Sequence, residues 1–265
     1  MIHARIIGTG SYAPEKVLTN HDLEKMVETS DEWIVERTGI KERRICSRGE
    51  TTSDLAVEAA HRALRAAGTS AADLDLIICG TLTPDTAMPS LACVVQARIH
   101  ARKAAAFDVY AACSGFLYGL SIADAFIRSG MHQTILVIGA EALSRFTDWE
   151  DRTTCVLFGD GAGAAVVQRH AGKRGILSTH LHSDGSFGDL LHLPAGGSAH
   201  PATHDTVDRR QHYIKMKGNE TFKVAVRALE DVVQEALDHN KVKHDEIDLL
   251  VPHQANLRII QAMAK

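Results

Sequence analysis

Much is missing from this 265-residue chain, and each absence excludes something. There is no excess of one charge: 29 Lys and Arg stand against 33 Asp and Glu, a net charge of −4. A strong field for nucleic acid or a membrane surface is therefore not expected. No window holds 18 uninterrupted apolar residues, so no membrane-spanning helix is expected. The first residues, Met1 to Gly8, lack the long apolar stretch of a secretion signal and read as a strand. The five cysteines (46, 79, 93, 113 and 155) are odd in number and include no C-x-x-C pair. That argues against a disulfide framework or a zinc site and favours a reducing cytoplasm. The glycine cluster at 159–163 lacks the spacing of a phosphate loop and reads as a tight connection into a strand. His180 and His182 share one face of an expected strand, with no carboxylate at fixed spacing, so no metal site is expected there.

What is present is an alternation of apolar strands and amphipathic helices, the pattern of an α/β protein. Leu55, Ala59, Ala63, Leu64 and Ala67 recur at helical spacing before Gly68, which reads as the helix stop. Leu74–Cys79, Thr134–Ile138 and Ala162–Val167 are nearly continuous apolar runs, as in a sheet covered on both faces. A second helix is expected over 113–130. Residues 194–212, rich in Gly, Ala and His, read as a surface excursion.

The helix-and-strand pattern of 60–78 returns at 233–251 with a constant offset of 173 and no gap. Equal spacing favours duplication. It divides the chain into an N-terminal half, 1–173, and a C-terminal half, 174–265. A second half of equal length would continue roughly 50–75 residues past Lys265, so a C-terminally truncated chain is expected.

Two residues stand in settings suited to nucleophilic chemistry. Cys113 lies in Phe107-Asp108-Val109-Tyr110-Ala111-Ala112-Cys113-Ser114-Gly115, and His253 in Leu249-Leu250-Val251-Pro252-His253-Gln254-Ala255-Asn256. Each follows an apolar run that reads as a buried strand, and each opens a segment that reads as a helix. A thiol at a helix N-terminus is favoured as thiolate, and a distant histidine brought beside it would complete a nucleophile–base pair.

At these two sites the sequence closely resembles the β-ketoacyl-acyl-carrier-protein synthase III family. Further motifs carry the resemblance along nearly the whole chain: Ile6–Tyr12, Thr29-Ser30-Asp31-Glu32-Trp33-Ile34, Arg37-Thr38-Gly39-Ile40, Phe158–Ala164 and Gly218-Asn219-Glu220. The resemblance implies a thiolase-like fold: duplicated βαβαβαββ halves in a five-layer α/β/α/β/α sandwich, here with the second half incomplete, as a homodimer. It implies that Cys113 takes an acyl group from a short acyl-CoA, acetyl-CoA first among them. Malonyl-acyl-carrier protein then loses CO2, and its carbanion attacks the acyl group while His253 serves the thioester carbonyl. CoA is a substrate, so no cofactor is expected. Trp33, Arg37, Arg152 and Thr29 match contacts to CoA, and Gly218, Asn219 and Asn256 match the pantetheine tunnel. Met88 and Leu143 match the acyl pocket, where a flexible methionine suggests acyl chains beyond acetyl. Lys223, Arg258 and Lys265 match a patch that docks the acidic carrier protein. The family's third catalytic residue, an asparagine in a Gly-Asn-Thr-Ser motif, has no counterpart here. The expectation is a chain poor in condensation by itself. A related polyketide- or quinolone-type acyltransferase, and a remnant that only binds or dimerises, are the alternatives.

Overall fold

A computed structural model describes residues 2–264, which fall into two compact units interleaved along the chain. The strands are β1 Ile2–Tyr12, β2 Val17–Thr19, β3 Glu42–Arg44, β4 Leu76–Gly80, β5 Ala105–Val109, β6 Thr134–Ala142, β7 Asp160–Ala171, β8 Leu191–His192 and β9 Lys215–Met216. The helices are α1 Asn20–Leu23, α2 Asp31–Thr38, α3 Thr52–Ala67, α4 Leu91–Arg98, α5 Gly115–Arg128, α6 His204–Asp208, α7 Gly218–Asn240 and α8 Leu257–Met263.

The first unit comprises 1–16, 44–142 and 160–179. Its five strands lie in the order β1-β7-β6-β4-β5. β4 runs parallel to both neighbours, while β7 is antiparallel to β1 and β6. Successive side chains in a strand point to opposite faces, and both faces here are buried. Ile77, Cys79, Leu136, Ile138 and Val166 join Leu55, Ala59 and Ala63 of α3 and Leu91 and Val95 of α4. Leu76, Ile78, Ile135, Val137 and Val167 join Ala123 and Ile127 of α5. The continuous apolar runs in the sequence are thus strands with no solvent face. α3 ends as its sequence requires: Gly68 adopts φ +61, in the left-handed region that a helix stop of this kind uses.

The second unit comprises 17–43, 143–159 and 180–265. Leu23, Ile34, Cys155 and Val156 form its small core, with Trp33 and Trp149 packed against it. Buried Arg43 donates to Asn20 Oδ1 (2.8 Å) and to the Val156 carbonyl (3.1 Å). The excursion at 194–212 is tied down. Asp148 accepts from Arg210 and, at 3.3 Å, from Lys215. The Arg210 hydrogen bond foremost holds the Asp148 carboxyl down at about 2.

The unit boundaries do not follow a cut at 173. Two helix ends 173 residues apart nevertheless share one backbone arrangement. Gly68 N–H donates to the Arg65 carbonyl and Thr69 N–H to Leu64; Lys241 N–H donates to Asp238 and Val242 N–H to Leu237. The offset is again 173, and both Gly68 and Lys241 are left-handed. Short 3-10 turns follow at Ala71–Asp73 and His244–Glu246.

The likeness stops at the next element. β4 forms in the first copy, whereas Leu249-Leu250-Val251 is not a strand, and Leu249 and Val251 are 78% and 72% exposed. The expected buried strand before His253 is therefore corrected: among the described residues no strand pairs with it. The segment around His180 and His182 is also irregular rather than a strand. Glu235 of α7 accepts from both imidazoles, which fixes them without a ladder.

Candidate active site

Cys113 belongs to the first unit. β5 ends at Val109, the chain leaves the sheet through exposed Tyr110, and Ala112–Ser114 forms a single 3-10 turn before α5 begins at Gly115. Cys113 thus precedes the helix rather than opening it. Ala112 has φ +48, the left-handed region that a residue with a Cβ enters only when its surroundings compel it. A Cβ on Gly80, at the end of β4, would lie 2.6 Å from the Gly115 carbonyl carbon. Two glycine backbones meet there, and the turn between β5 and α5 must close over them. The result is an exposed cysteine at the carboxyl rim of the parallel strands, where open α/β sheets place ligands.

The thiol stands two residues ahead of α5 rather than at its first position. Burial on its inner side pushes it up from the ordinary value, and the Glu141 carboxylate pushes it further. Cys79 and Cys155 are buried in the cores, and burial pushes the Cys155 thiol up to about 11. Cys93 is exposed on α4. Met88 is 82% exposed in the loop before α4.

His253 belongs to the second unit. It lies in an irregular segment four residues ahead of α8, so it does not open that helix. Partial burial of its ring holds the imidazole below the ordinary 6.5. Asn256 is the N-cap of α8, its Oδ1 accepting from Arg258 N–H at 2.8 Å. Leu257 then packs on Gly39, where an added Cβ would come within 2.7 Å of Leu257 Cβ. α8 is thereby seated on the end of α2.

The same unit brings three expected residues together. The Arg37 guanidinium lies 4.8 Å from the Trp33 ring centre and that of Arg152 lies 5.2 Å from it. The first follows from i,i+4 spacing on α2. The second needs the tertiary fold, and Arg152 is further held by donating to the Glu28 carbonyl at 2.8 Å. Thr29 Oγ1, just ahead of α2, is buried without a hydrogen-bond partner. Such a hydroxyl is costly unless something else satisfies it.

Gly218 and Asn219 are exposed at the start of α7, which has no side-chain cap. Leu143 is partly buried after β6. Arg258 stands over the Phe222 ring at 5.7 Å, and the two border a hollow of ≈ 510 Å³ with Gln261 and Ala262. Lys223 borders a second hollow, ≈ 690 Å³, together with Arg227 and Asp231. Arg227 was not singled out in the sequence, although its i,i+4 spacing from Lys223 could have drawn attention to it. Lys265 lies outside the described residues. Among the described residues no His, Cys, Asp and Glu group is placed to hold a metal ion, and no helix is long and apolar enough to cross a membrane.

Residues 107–185, which include the Cys113 turn, match the family described as 3-oxoacyl-[acyl-carrier-protein (ACP)] synthase III. A beta-ketoacyl-[acyl-carrier-protein] synthase III of Thioalkalivibrio sulfidiphilus is 58% identical over 265 residues, 100% of this chain and 81% of that protein. One from Caldanaerobacter subterraneus subsp. tengcongensis is 56% identical, over 100% of this chain and 80% of its own. The chain belongs to the β-ketoacyl-[acyl-carrier-protein] synthase III family.

The solved structure of a synthase III from Aquifex aeolicus VF5 superposes with a TM-score of 0.90 at 55% identity, covering 98% of this chain and 80% of that one. A Thermus thermophilus synthase III gives 0.89 at 42% identity, covering 98% and 79%. The thiolase-like α/β fold expected from the sequence stands, with a mixed central sheet. Membership makes the chain a condensing acyltransferase. A priming β-ketosynthase of a polyketide pathway is also similar, at 34% identity, but the higher identities favour the fatty-acid synthases over that alternative.

Proposed function

We propose that this synthase III joins a short acyl-CoA, acetyl-CoA first among them, to malonyl-acyl-carrier protein and so starts type II fatty-acid synthesis. The observation that carries the reading is the exposed Cys113 on a strained turn at the carboxyl rim of β4 and β5. The Cys113 sulfur attacks the thioester carbonyl. Its S–C bond forms as the bond to CoA breaks, and the CoA sulfur leaves with the proton. Malonyl-acyl-carrier protein then loses CO2, and the electron pair released becomes a carbanion that attacks the acyl-Cys carbonyl. The Cys113 sulfur departs, takes up a proton, and β-ketoacyl-acyl-carrier protein is released. His253, neutral at ordinary pH because burial depresses its pKa, serves as hydrogen-bond donor to the malonyl thioester oxygen.

Trp33, Arg37, Arg152 and Thr29 hold the nucleotide end of CoA; two guanidiniums against one indole suit a planar base flanked by phosphate. Gly218, Asn219 and Asn256 line the pantetheine path, and Met88 and Leu143 shape the acyl end. Lys223, Arg258 and, by spacing, Arg227 receive the acidic carrier protein. The outer edge of β5 ends the sheet among the described residues, and it is the place for a second copy to pair in a homodimer. The 1–173 and 174–265 halves descend from one ancestor, a reading supported by the two equivalent helix stops. Free cysteines fit a cytoplasmic place of work.

The test follows acetyl transfer and condensation separately, by intact mass and by β-ketoacyl-carrier-protein formation, with isobutyryl-CoA and octanoyl-CoA as competitors. An acetyl adduct followed by condensation supports the reading; an adduct from none of the three donors overturns it. Trp33→Ala should raise KM for acetyl-CoA by about 2- to 30-fold, equivalent to about 0.5–2 kcal/mol, with kcat little changed. A fall in kcat at constant KM would contradict a binding role.

A further inference from the structure

Glu141 is a partly buried acid on β6 that the chemistry above does not use. It sits two residues beyond Gly139, which lies opposite Gly80 in the β4–β6 register and under the Phe116 side chain, three residues past Cys113. Its Oε1 accepts from Leu82 N–H at 2.7 Å, and its Oε2 accepts from Thr83 Oγ1 at 2.6 Å and Thr81 Oγ1 at 3.5 Å. The direction of these bonds is fixed by what else the hydroxyls do. Thr83 Oγ1 already accepts from Ala142 N–H (2.8 Å), and Thr81 Oγ1 accepts from Thr83 N–H (3.1 Å). Each hydroxyl therefore has its proton directed at Glu141, which receives three donors and fits them as an ionised carboxylate. Thr81 and Thr83 are 1% and 3% exposed, so water does not substitute readily for these bonds.

The other acids near this end of the sheet are turned to backbone groups. Asp85 accepts from Ser53 N–H, Asp108 from Leu91 and Ala92 N–H, and Asp160 from Cys46 N–H. Asp108 acts on Cys79. Glu141 reaches the turn before α5 through the loop it holds: Thr81 N–H donates to the Val109 carbonyl (3.3 Å) at the end of β5, and Gly80 lies against Gly115, two residues past Cys113; its charge also pushes the Cys113 thiol up.

We propose that Glu141 is a positioning residue for the Cys113 nucleophile, a carboxylate that pins the loop after β4 to the end of β6 and keeps negative charge at the rim carrying the thiol. The claim rests on Cys113 as the nucleophile. Its consequence is a resting thiol guarded against stray electrophiles, with reactivity tuned by one buried charge.

The experiment measures carbamidomethylation of Cys113 by iodoacetamide against pH, with peptide mass mapping and Cys93 as internal control. Glu141→Gln keeps an acceptor oxygen and loses the charge. It should move the Cys113 midpoint to lower pH and speed alkylation at pH 7, by less than the gain in thiolate fraction because a lower pKa costs part of the nucleophilicity. Glu141→Asp should restore the wild-type profile. A Glu141→Gln profile that superimposes on wild type, or Gln and Asp variants that shift alike, overturns the proposal. Should the Gln variant not fold, the wild-type protein labelled with [5-13C]glutamate decides. One carboxyl signal should titrate above the ordinary glutamate range and move when Cys113 is carbamidomethylated; an unmoved spectrum overturns the proposal. An acetyl adduct absent from Cys113, with the Gln shift intact, would retire the acyl-Cys113 chemistry and leave the charge effect standing.

Discussion

Replacing Cys113 by Ala is expected to lower acyl transfer and condensation by at least about 10³-fold, because a nucleophile that forms the covalent intermediate has no substitute. The fold should survive. Cys113 is exposed in a turn shaped by Ala112 and the Gly80–Gly115 contact, and its sulfur belongs to no core cluster. Loss of an exposed side chain of this kind typically changes stability by no more than about 0.5 kcal/mol. Cys79→Ala and Cys155→Ala should divide the other way, losing stability through cavities while retaining the acetyl adduct. Intact mass after incubation with acetyl-CoA, together with thermal melting, reads both quantities. An adduct that persists in Cys113→Ala would assign the acyl group elsewhere, with exposed Cys93 the first residue to map.

Gly80→Ala is expected to damage both stability and chemistry although it adds only one methyl group. The new Cβ would meet the Gly115 carbonyl carbon at 2.6 Å and its Cα at 2.9 Å. Both are backbone atoms, so no rotamer can yield; either β4 or the start of α5 has to move. Overpacking of this kind costs about 1–3 kcal/mol. Movement of the turn displaces Cys113, and a misplacement of about 1 Å can cost on the order of 10²-fold in rate. Gly163→Ala, on β7 with nothing within 4 Å of the added Cβ, is the control and should behave as wild type. Rates of acetyl-Cys113 formation beside melting temperatures decide the point. A Gly80→Ala protein that melts lower yet acylates at the wild-type rate would detach the turn's position from this contact.

The parts of the fold legible in the sequence were those in which one side-chain pattern fixes one local structure. α3 ends at Gly68 because a left-handed stop favours glycine, and Trp33 meets Arg37 because four residues make one helical turn. Apolar runs revealed nearly all of β4, the first five residues of β6 and the middle of β7. β7 extends through Asp160, Gly161 and Gly163, and β1 runs past Gly8 through Gly10 to Tyr12; Gly and Asp carry no strand signal and pair here because their neighbours do. Leu249-Leu250-Val251 showed the converse failure. Three apolar residues can look like a buried strand, yet a strand exists only where a partner strand completes its hydrogen bonds. The electrostatics of Cys113 were hidden for another reason. Glu141 lies 28 positions away in sequence, and nothing local says that β4 and β6 bring it to the same rim. The Arg152–Trp33 contact and the Arg210–Asp148 pair are long-range in the same sense.

The double-faced core has one further consequence. In a sheet with one wet side, alternating polarity tells each strand how to align, because slipping by one residue would turn apolar groups to water. β4 and β6 have no such guide: Leu76, Ile77, Ile78 and Cys79 are all buried, as are Ile135 to Ile138. A slipped strand would still be greasy on both sides. Alignment must then be read from features that occur once, and two of them stand together at the carboxyl rim: the Gly80–Gly115 approach and the Glu141 clamp on Thr81, Leu82 and Thr83. The chemistry and the bookkeeping of strand alignment share one address. Variation that retunes the nucleophile is therefore also a trial of whether the chain still knows its own register, which narrows the routes by which such a rim can drift to new reactions.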